Sequence, residues 1–524
     1  MTLFLSRLRK LQDNEDKTLK YLKCTFWEII IITILLTTNS CKKSQEPVPI
    51  VKPTHNLDWI YQVDSLLMPY WMMDEAKGSP IGNFSNYRFR DGKILDPNQF
   101  DFASIPDILA PFVIVQTDSF KRDFLRIKSR QTYAFGVAYH LTGNEAYLEL
   151  AKKGVDYLLE HGEYQSGSPI TYWKNGQGFP KPKQRNTQDL AYSLTGLTMY
   201  YYLTRDEQVL KAILKVKDYV FENYLENSDL KEKTKLMKWV LEDDESGKAD
   251  DKLLLATLDQ INAYSLFITP FLPDSLNTVF KNDVKKLAYS LKDNFYSKEY
   301  NMFWGNLNNK RINESPTDFG HSIKSMWMCY LTGKLVEDDV LTDFGKKNAL
   351  KLLKTAYLKE TGSWAEMYTD STLTLSKGTA WWGHAELDQM AATLSLADTS
   401  LYSKYLKQTF SYWEDHMIDH EYKETWLGLD EIGHPKFPDL PKAFHWKNGF
   451  HSLEHALIGY LSTSNYNNEQ ATLYYAFQKG HQPNSNKIQP YYFNADIENI
   501  STSDLKGNEF NDLQKTKVVF KNLH

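Results

Sequence analysis

Tyr139-His140-Leu141-Thr142-Gly143-Asn144-Glu145-Ala146-Tyr147-Leu148 ends one helix and starts the next within a two-residue turn. An aromatic, Leu-containing segment gives out at Thr-Gly-Asn, and a more charged segment begins on Glu. Gly just past a helix end, with Asn before the next first turn, is a stop signal followed by a start signal. The chain repeats the device. Tyr202-Leu203-Thr204-Arg205-Asp206 precedes Glu207-Gln208-Val209-Leu210, and Tyr330-Leu331-Thr332-Gly333 and Leu396-Ala397-Asp398-Thr399 fill the same slot later. Self-similarity at roughly 60-residue spacing marks stacked helical hairpins.

Outward from these junctions, apolar residues recur three and four apart from about residue 57. The spacing predicts twelve helices, near 57–75, 121–142, 145–161, 185–204, 206–225, 251–269, 279–296, 317–333, 341–358, 380–396, 400–418 and 447–461. The even-numbered ones are poor in Lys and rich in Ala, Ser, Gly, Leu and aromatics, whereas the odd ones carry charged stripes such as Lys211, Lys215 and Lys217. A helix apolar on most faces is buried, and one with a charged stripe faces water. Six inner and six outer helices in alternation give an all-α fold, an (α/α)6 barrel, with an open solenoid of the same hairpins as the competitor. After 462 the helical rhythm stops. Thr472–Phe477, Gln489–Phe493 and Val518–Phe520 read as short strands, which predicts a β-rich C-terminal extension over 463–524 packed on the barrel at 57–462.

The amino terminus reads differently. Basic residues up to Lys23 lead to the apolar run Ile29–Leu36 and then to Thr37-Thr38-Asn39-Ser40-Cys41. Charged, apolar and small-residue regions in that order form an export signal, and the run is short for a bilayer span. It resembles a bacterial lipoprotein signal, so residues 1–41 are expected to export the chain, with Cys41 acylated and 42–56 a linker. An uncleaved membrane anchor fits the same segment. Either way the remainder is expected outside the cytoplasm, lipid-anchored at the periplasmic or surface face of a bacterial membrane. Cys24, Cys41 and Cys329 are the three cysteines, so no intramolecular disulfide and no zinc-type pair is expected. A net charge of −5, from 61 basic and 66 acidic residues, gives no one-sign field and argues against a nucleic-acid partner. A small, mostly neutral partner is expected, and oligomerisation is left open.

Turns from inner to outer helices are short, and the returns are long and carry Gly, Trp and polar residues, as in Gly167–Trp173, Asn301–Gly305 and Lys423–Gly428. All the long loops therefore fall at one mouth, where the inner helices begin, and a site is expected there. Arg130, Gln188, Asp189, Asn262, His321, His384, Glu386 and His451 lie in the first turns of those helices. Six helix amino ends pointing at one mouth suit an anionic transition state. His321 and His451 hold the same relative place on different inner helices. Trp382 and Trp446 lie near them, and aromatic platforms with a few polar groups are what a sugar pocket needs.

These residues resemble the N-acylglucosamine 2-epimerase family, which includes cellobiose 2-epimerases and aldose–ketose isomerases. The resemblance spans about 57–462 and is carried by Arg130-Gln131-Thr132-Tyr133-Ala134-Phe135, Gln188-Asp189-Leu190-Ala191-Tyr192, Gly320-His321, Trp382-Gly383-His384-Ala385-Glu386, and Trp446-Lys447 followed by His451. It implies a barrel that binds an opened mono- or oligosaccharide and removes the proton at C2. The resulting enediolate is reprotonated at C2 from the other face or at C1. His321 and His451 match the family's acid/base histidines, Arg130 its arginine near the sugar oxygens, and Trp382 and Trp446 its stacking positions; Asp189, Asn262, His384 and Glu386 are the remaining candidates for substrate binding. No metal or other cofactor is implied. Three positions depart from the pattern. Asn262 stands where relatives carry a histidine, Lys324 follows His321 by three where Glu is usual, and Glu454 follows His451 by three where Arg is usual. The last two changes are opposite in sign, which predicts a Lys324–Glu454 charge pair with its ends exchanged. A glycoside hydrolase or lyase on the same barrel would instead use facing carboxylates, with Asp189, Asp318 and Glu386 as candidates. A non-catalytic sugar-binding lipoprotein would show a histidine turned from the pocket.

Overall fold

The computed structural model describes residues 52–99, 119–226, 236–244, 247–313, 316–480 and 487–524. The expected export segment, its Cys41 and the linker up to residue 51 lie outside these. Among the described residues twelve long helices follow one another as the spacing predicts. The inner six are α2 (Leu125–Thr142), α4 (Thr187–Tyr192 continuing as Thr195–Thr204), α6 (Leu254–Ile268), α8 (Phe319–Val336), α10 (Trp381–Ser395) and α12 (Phe450–Asn467). The outer six are α1 (Asn56–Trp71), α3 (Glu145–His161), α5 (Glu207–Asn223), α7 (Asp274–Phe295), α9 (Asp339–Ala356) and α11 (Tyr402–Met417). Each inner helix packs on the next, and α12 packs on α2. The ring is closed, which excludes the open solenoid.

Burial follows composition. Every residue of α2 from Leu125 to Leu141 is buried, whereas α5 buries one stripe, Val209, Leu210, Ala212, Ile213, Val216, Lys217 and Val220, and gives the rest to water. The turn after α2 works as its sequence suggests. Gly143 adopts φ +68°, and its N–H donates to Tyr139 O at 2.7 Å.

The long returns all reach the amino ends of the inner helices. Several carry short antiparallel ladders: Tyr172–Lys174 with Gln177–Phe179 and, on its other side, Asp123–Phe124; Tyr296–Ser297 with Met302–Phe303; and Tyr357–Leu358 with Ser363–Trp364. Thr379–Ala380, just before α10, pairs with Gly428–Leu429 and ties two of these loops together.

The extension is an antiparallel sheet of Ala471–Gln478, Asp496–Asp504 and Leu513–Lys521, with the last strand between the other two. It closes the opposite end of the barrel, where the inner helices finish. Tyr139 Oη donates to Tyr475 O, and His140 Nδ1 meets Tyr474 O at 2.8 Å. Gln489–Phe493 is not a strand. Tyr491 has φ +64° there, and the segment turns inward so that Tyr491 and Tyr492 pack on Phe267, and Tyr492 also on Trp327. An aromatic run reads as a strand by composition; here it is a plug.

Candidate active site

A cavity of about 680 Å³ opens at the amino ends of the inner helices. Helical periodicity decides which side chains face it. Residues four apart share a face, and the wall takes Arg126 and Arg130 from α2 and Gln188 and Tyr192 from α4. It takes Asp259 from α6, His321 and Lys324 from α8, Trp381 and Trp382 from α10, and His451 from α12. The loops add Asp318, Glu366, Lys436, Phe437 and Trp446. Trp446 is 42% exposed and stands at the rim.

His321 is fixed from two sides. Asp318 caps α8, its Oδ1 accepting from the His321 backbone N–H at 2.7 Å, while its Oδ2 lies 2.7 Å from His321 Nδ1. A carboxylate only accepts, so Nδ1 carries a proton, and in the neutral tautomer Nε2 is the one with the lone pair. The imidazole also lies against Trp382, ring centres 4.5 Å apart. Gly320 makes this approach feasible: a Cβ there would fall 2.5 Å from Trp382 Cζ3.

His451 is more deeply set and also borders Trp382, with ring centres 6.3 Å apart. Its Nδ1 lies 3.5 Å from Glu386 Oε1, long for a hydrogen bond. Burial, with Arg130 and Lys324 nearby, holds its pKa well below that of a free histidine, so it is a neutral base at pH 7. Lys324 Nζ pairs with Glu386 Oε1 at 3.1 Å. Burial works against the ammonium, but the Glu386 carboxylate outweighs it and Lys324 stays charged. Arg130 donates from Nη1 to Trp446 O at 2.8 Å and lies over Tyr192 and Phe450. Burial lowers its pKa to about 10, which leaves it a cation.

His321, His451, Arg130, Trp382 and Trp446 thus meet at one cavity. Asp189, Asn262, His384 and Glu386 do not line it. Asp189 holds Arg126 in place, Oδ1 to Nη1 at 2.9 Å. Asn262 falls where α6 widens into a π-type segment, Ile261–Ser265, and Asp259 takes the cavity position instead, accepting from Tyr192 Oη at 3.1 Å and Gln188 Nε2 at 2.8 Å. His384 is turned outward, stacked on Tyr412 with Nε2 3.3 Å from Asp388 Oδ2. Glu386 sits behind the wall between Lys324 and His451. The expected Lys324–Glu454 ion pair is not formed: Lys324 takes Glu386, and the Glu454 carboxylate accepts from Tyr491 Oη instead. Arg126, Glu366, Lys436 and Phe437 were not singled out from sequence. Arg126 had a signal, since it lies one turn before Arg130; the three loop residues had none.

No family model matches the chain. Among curated proteins it is similar to the cellobiose 2-epimerase of Dictyoglomus turgidum, 22% identical over 404 residues, covering 74% of this chain and 94% of that one. It is also similar to the cellobiose 2-epimerase of Ruminococcus albus, 21% identical over 338 residues, covering 62% and 84%. Among solved structures, a cellobiose 2-epimerase from Bacillus thermoamylovorans superposes with a TM-score of 0.61 at 17% identity, covering 78% of this chain and 98% of that one. A D-mannose isomerase superposes at 0.58 and 17%, covering 77% and 96%. The two structures speak for the barrel. These likenesses support a place for the chain, as a divergent member, in the N-acylglucosamine 2-epimerase family.

Proposed function

We propose that the protein is a sugar 2-epimerase or aldose–ketose isomerase that moves a proton at C2 of an opened sugar with His321 and His451. One observation carries this reading: both imidazoles line the same cavity and border Trp382, each with a carboxylate beside its Nδ1. A neutral imidazole takes the C2 proton, and general-base help of this kind contributes about 10²- to 10⁴-fold. Negative charge then spreads over O1 and O2 of the enediolate. Arg130 and Lys324, cations in a largely buried wall, are placed to stabilise it. The second imidazole returns a proton to the other face of C2, giving the epimer, or the proton goes to C1, giving the ketose. Trp382 and Trp446 offer apolar faces for the sugar rings. The names of the sequence relatives, cellobiose 2-epimerases, support a sugar substrate of this class.

The hydrolase reading loses its candidates. Asp189 is bound to Arg126 and Glu386 to Lys324, both behind the wall, and Asp318 is committed to His321. A binding-only protein was favoured by a histidine turned from the pocket, and neither is. We also propose, from the amino-terminal pattern alone, that the chain is exported and lipid-anchored through Cys41; Cys41→Ala is expected to abolish incorporation of labelled palmitate.

The deciding experiment incubates the protein with cellobiose, glucose and mannose in deuterated water. Deuterium at C2 together with an epimer or ketose is expected, and both His321→Ala and His451→Ala should remove it. Release of a shorter sugar with no exchange at C2 would overturn the reading in favour of hydrolysis.

A further inference from the structure

Tyr491 belongs to the extension, at the far end of the barrel from the cavity, yet its hydroxyl reaches the charged groups beneath the site. Four contacts hold it there. Its backbone N–H donates to Tyr202 Oη at 3.0 Å, its ring packs on Phe267, and its hydroxyl donates to Glu454 Oε1 while meeting Tyr133 Oη at 2.7 Å. Glu454 lies one turn below His451 on α12. Lys324 and Glu386 share its surroundings, and Glu386 borders His451 Nδ1 at 3.5 Å. Glu386 Oε1 holds the Lys324 ammonium at 3.1 Å, while His451 Nδ1 is buried without a hydrogen-bond partner, so charge couples Glu386 to the imidazole.

We propose that Tyr491 is a positioning residue for proton transfer at His451: through Glu454, its hydroxyl sets the charge felt by Lys324, Glu386 and the imidazole. The inference rests on the proton-transfer reading given above. The titratable groups facing Glu454 are Glu386 on α10, Lys324 on α8, Arg130 and Tyr133 on α2, and Tyr491 and Tyr492 of the extension. Burial and the Glu386 charge raise Glu454 to about 7. Against these act the Tyr491 hydroxyl first, then the Lys324 charge and Gln389, so its ionisation near neutral pH leans on the Tyr491 hydrogen bond. The Tyr491 hydroxyl favours the carboxylate form, and without it Glu454 keeps its proton to higher pH. The cluster then loses a negative charge, and His451 is less able to hold the proton it takes from C2.

Tyr491→Phe tests this, because the ring and its packing stay and only the hydroxyl goes. Exchange at C2 of cellobiose is followed from pH 5 to 9, and the buried carboxyl band is titrated by infrared spectroscopy in the substrate-free protein, assigned with Glu454→Gln. The expected result is a kcat about fivefold lower at pH 7 with KM unchanged, and an acid limb moved up by about one pH unit, the size of a single hydrogen bond to a charged group. The Glu454 midpoint should move up equally. An unmoved midpoint with an unchanged kcat profile overturns the proposal, as does a lowered kcat whose pH profile has not shifted. Should Tyr491→Phe fail to fold, Tyr133→Phe removes the hydroxyl that touches both Tyr491 and Glu454, and is read by the same criteria with a smaller shift. If the wild-type protein exchanges no sugar proton, the catalytic reading falls on that result, while the infrared titration still decides whether Tyr491 governs the Glu454 proton.

Discussion

At the scale of residues, the two histidines sit in different electrostatic settings. His321 is at the rim with a full hydrogen bond to Asp318, and His451 is deeper with only the field of Glu386. Asp318 keeps the His321 proton on Nδ1 and would stabilise the imidazolium formed when Nε2 takes a proton. Asp318→Asn retains the capping oxygen but presents an amide where a carboxylate stood. It should lower kcat for C2 exchange by about 10²-fold, less than His321→Ala, with far-ultraviolet circular dichroism unchanged. Equal activity in Asp318→Asn and the wild type would show that Asp318 acts only as the cap of α8.

At the scale of elements, the twelve helices were legible because burial on an inner helix demands apolar residues on nearly every face, and that pattern survives in one sequence. Which residue of a helix faces the cavity was less legible. His384 lies two residues after Trp382, which on a helix of 3.6 residues per turn is about 200° away, so the two cannot share a face; Glu386 shares it but one turn deeper. Asn262 was misplaced because the widening at Ile261–Ser265 leaves no mark in the sequence. Joints between outer helices were not legible either. α1 and α11 meet through Gln62, whose Nε2 donates to Glu414 Oε2 at 2.7 Å in a buried contact. Burial raises Glu414 from 4.5 to about 7. Because the folded pKa is the higher one, this group's contribution is fully present below about pH 4.5 and is lost as pH rises through 7. Glu414→Gln keeps the acceptor and removes the titration. Its stability should equal the wild type near pH 4.5 and exceed it by about 3 kcal/mol at pH 8, at about 1.4 kcal/mol per pH unit, as measured by urea unfolding at both values. No change in the difference between the two values would mean that folding leaves the Glu414 pKa where it is in the unfolded chain.

At the scale of the whole molecule, the barrel has two mouths with opposite tasks. One opens on the candidate site, where the proposed function would admit a sugar, and the other must keep water from the charges under the site. Six inner helices end at the second mouth, and a ring of helix ends alone leaves carbonyl groups and apolar side chains uncovered. The extension covers them. Leu473, Tyr475, Phe477, Tyr491, Val518 and Phe520 are all buried, and a Cβ at Gly143, in the turn after α2, would fall 2.7 Å from the Tyr474 ring. At about 1.5–3 kcal/mol for each large apolar side chain removed from water, these six contribute on the order of 10 kcal/mol. That is comparable with the net stability of an ordinary domain, about 5–15 kcal/mol, so the barrel is not expected to fold without them. A chain ending at Gln470 should be recovered in aggregates, whereas Phe477→Ala, which leaves the sheet in place, should remain soluble and lose about 3–5 kcal/mol. If the shortened chain instead stays soluble and melts within a few degrees of the full protein, the extension is an addition to a self-sufficient barrel. Its tie to Glu454 would then have to be explained by catalysis alone.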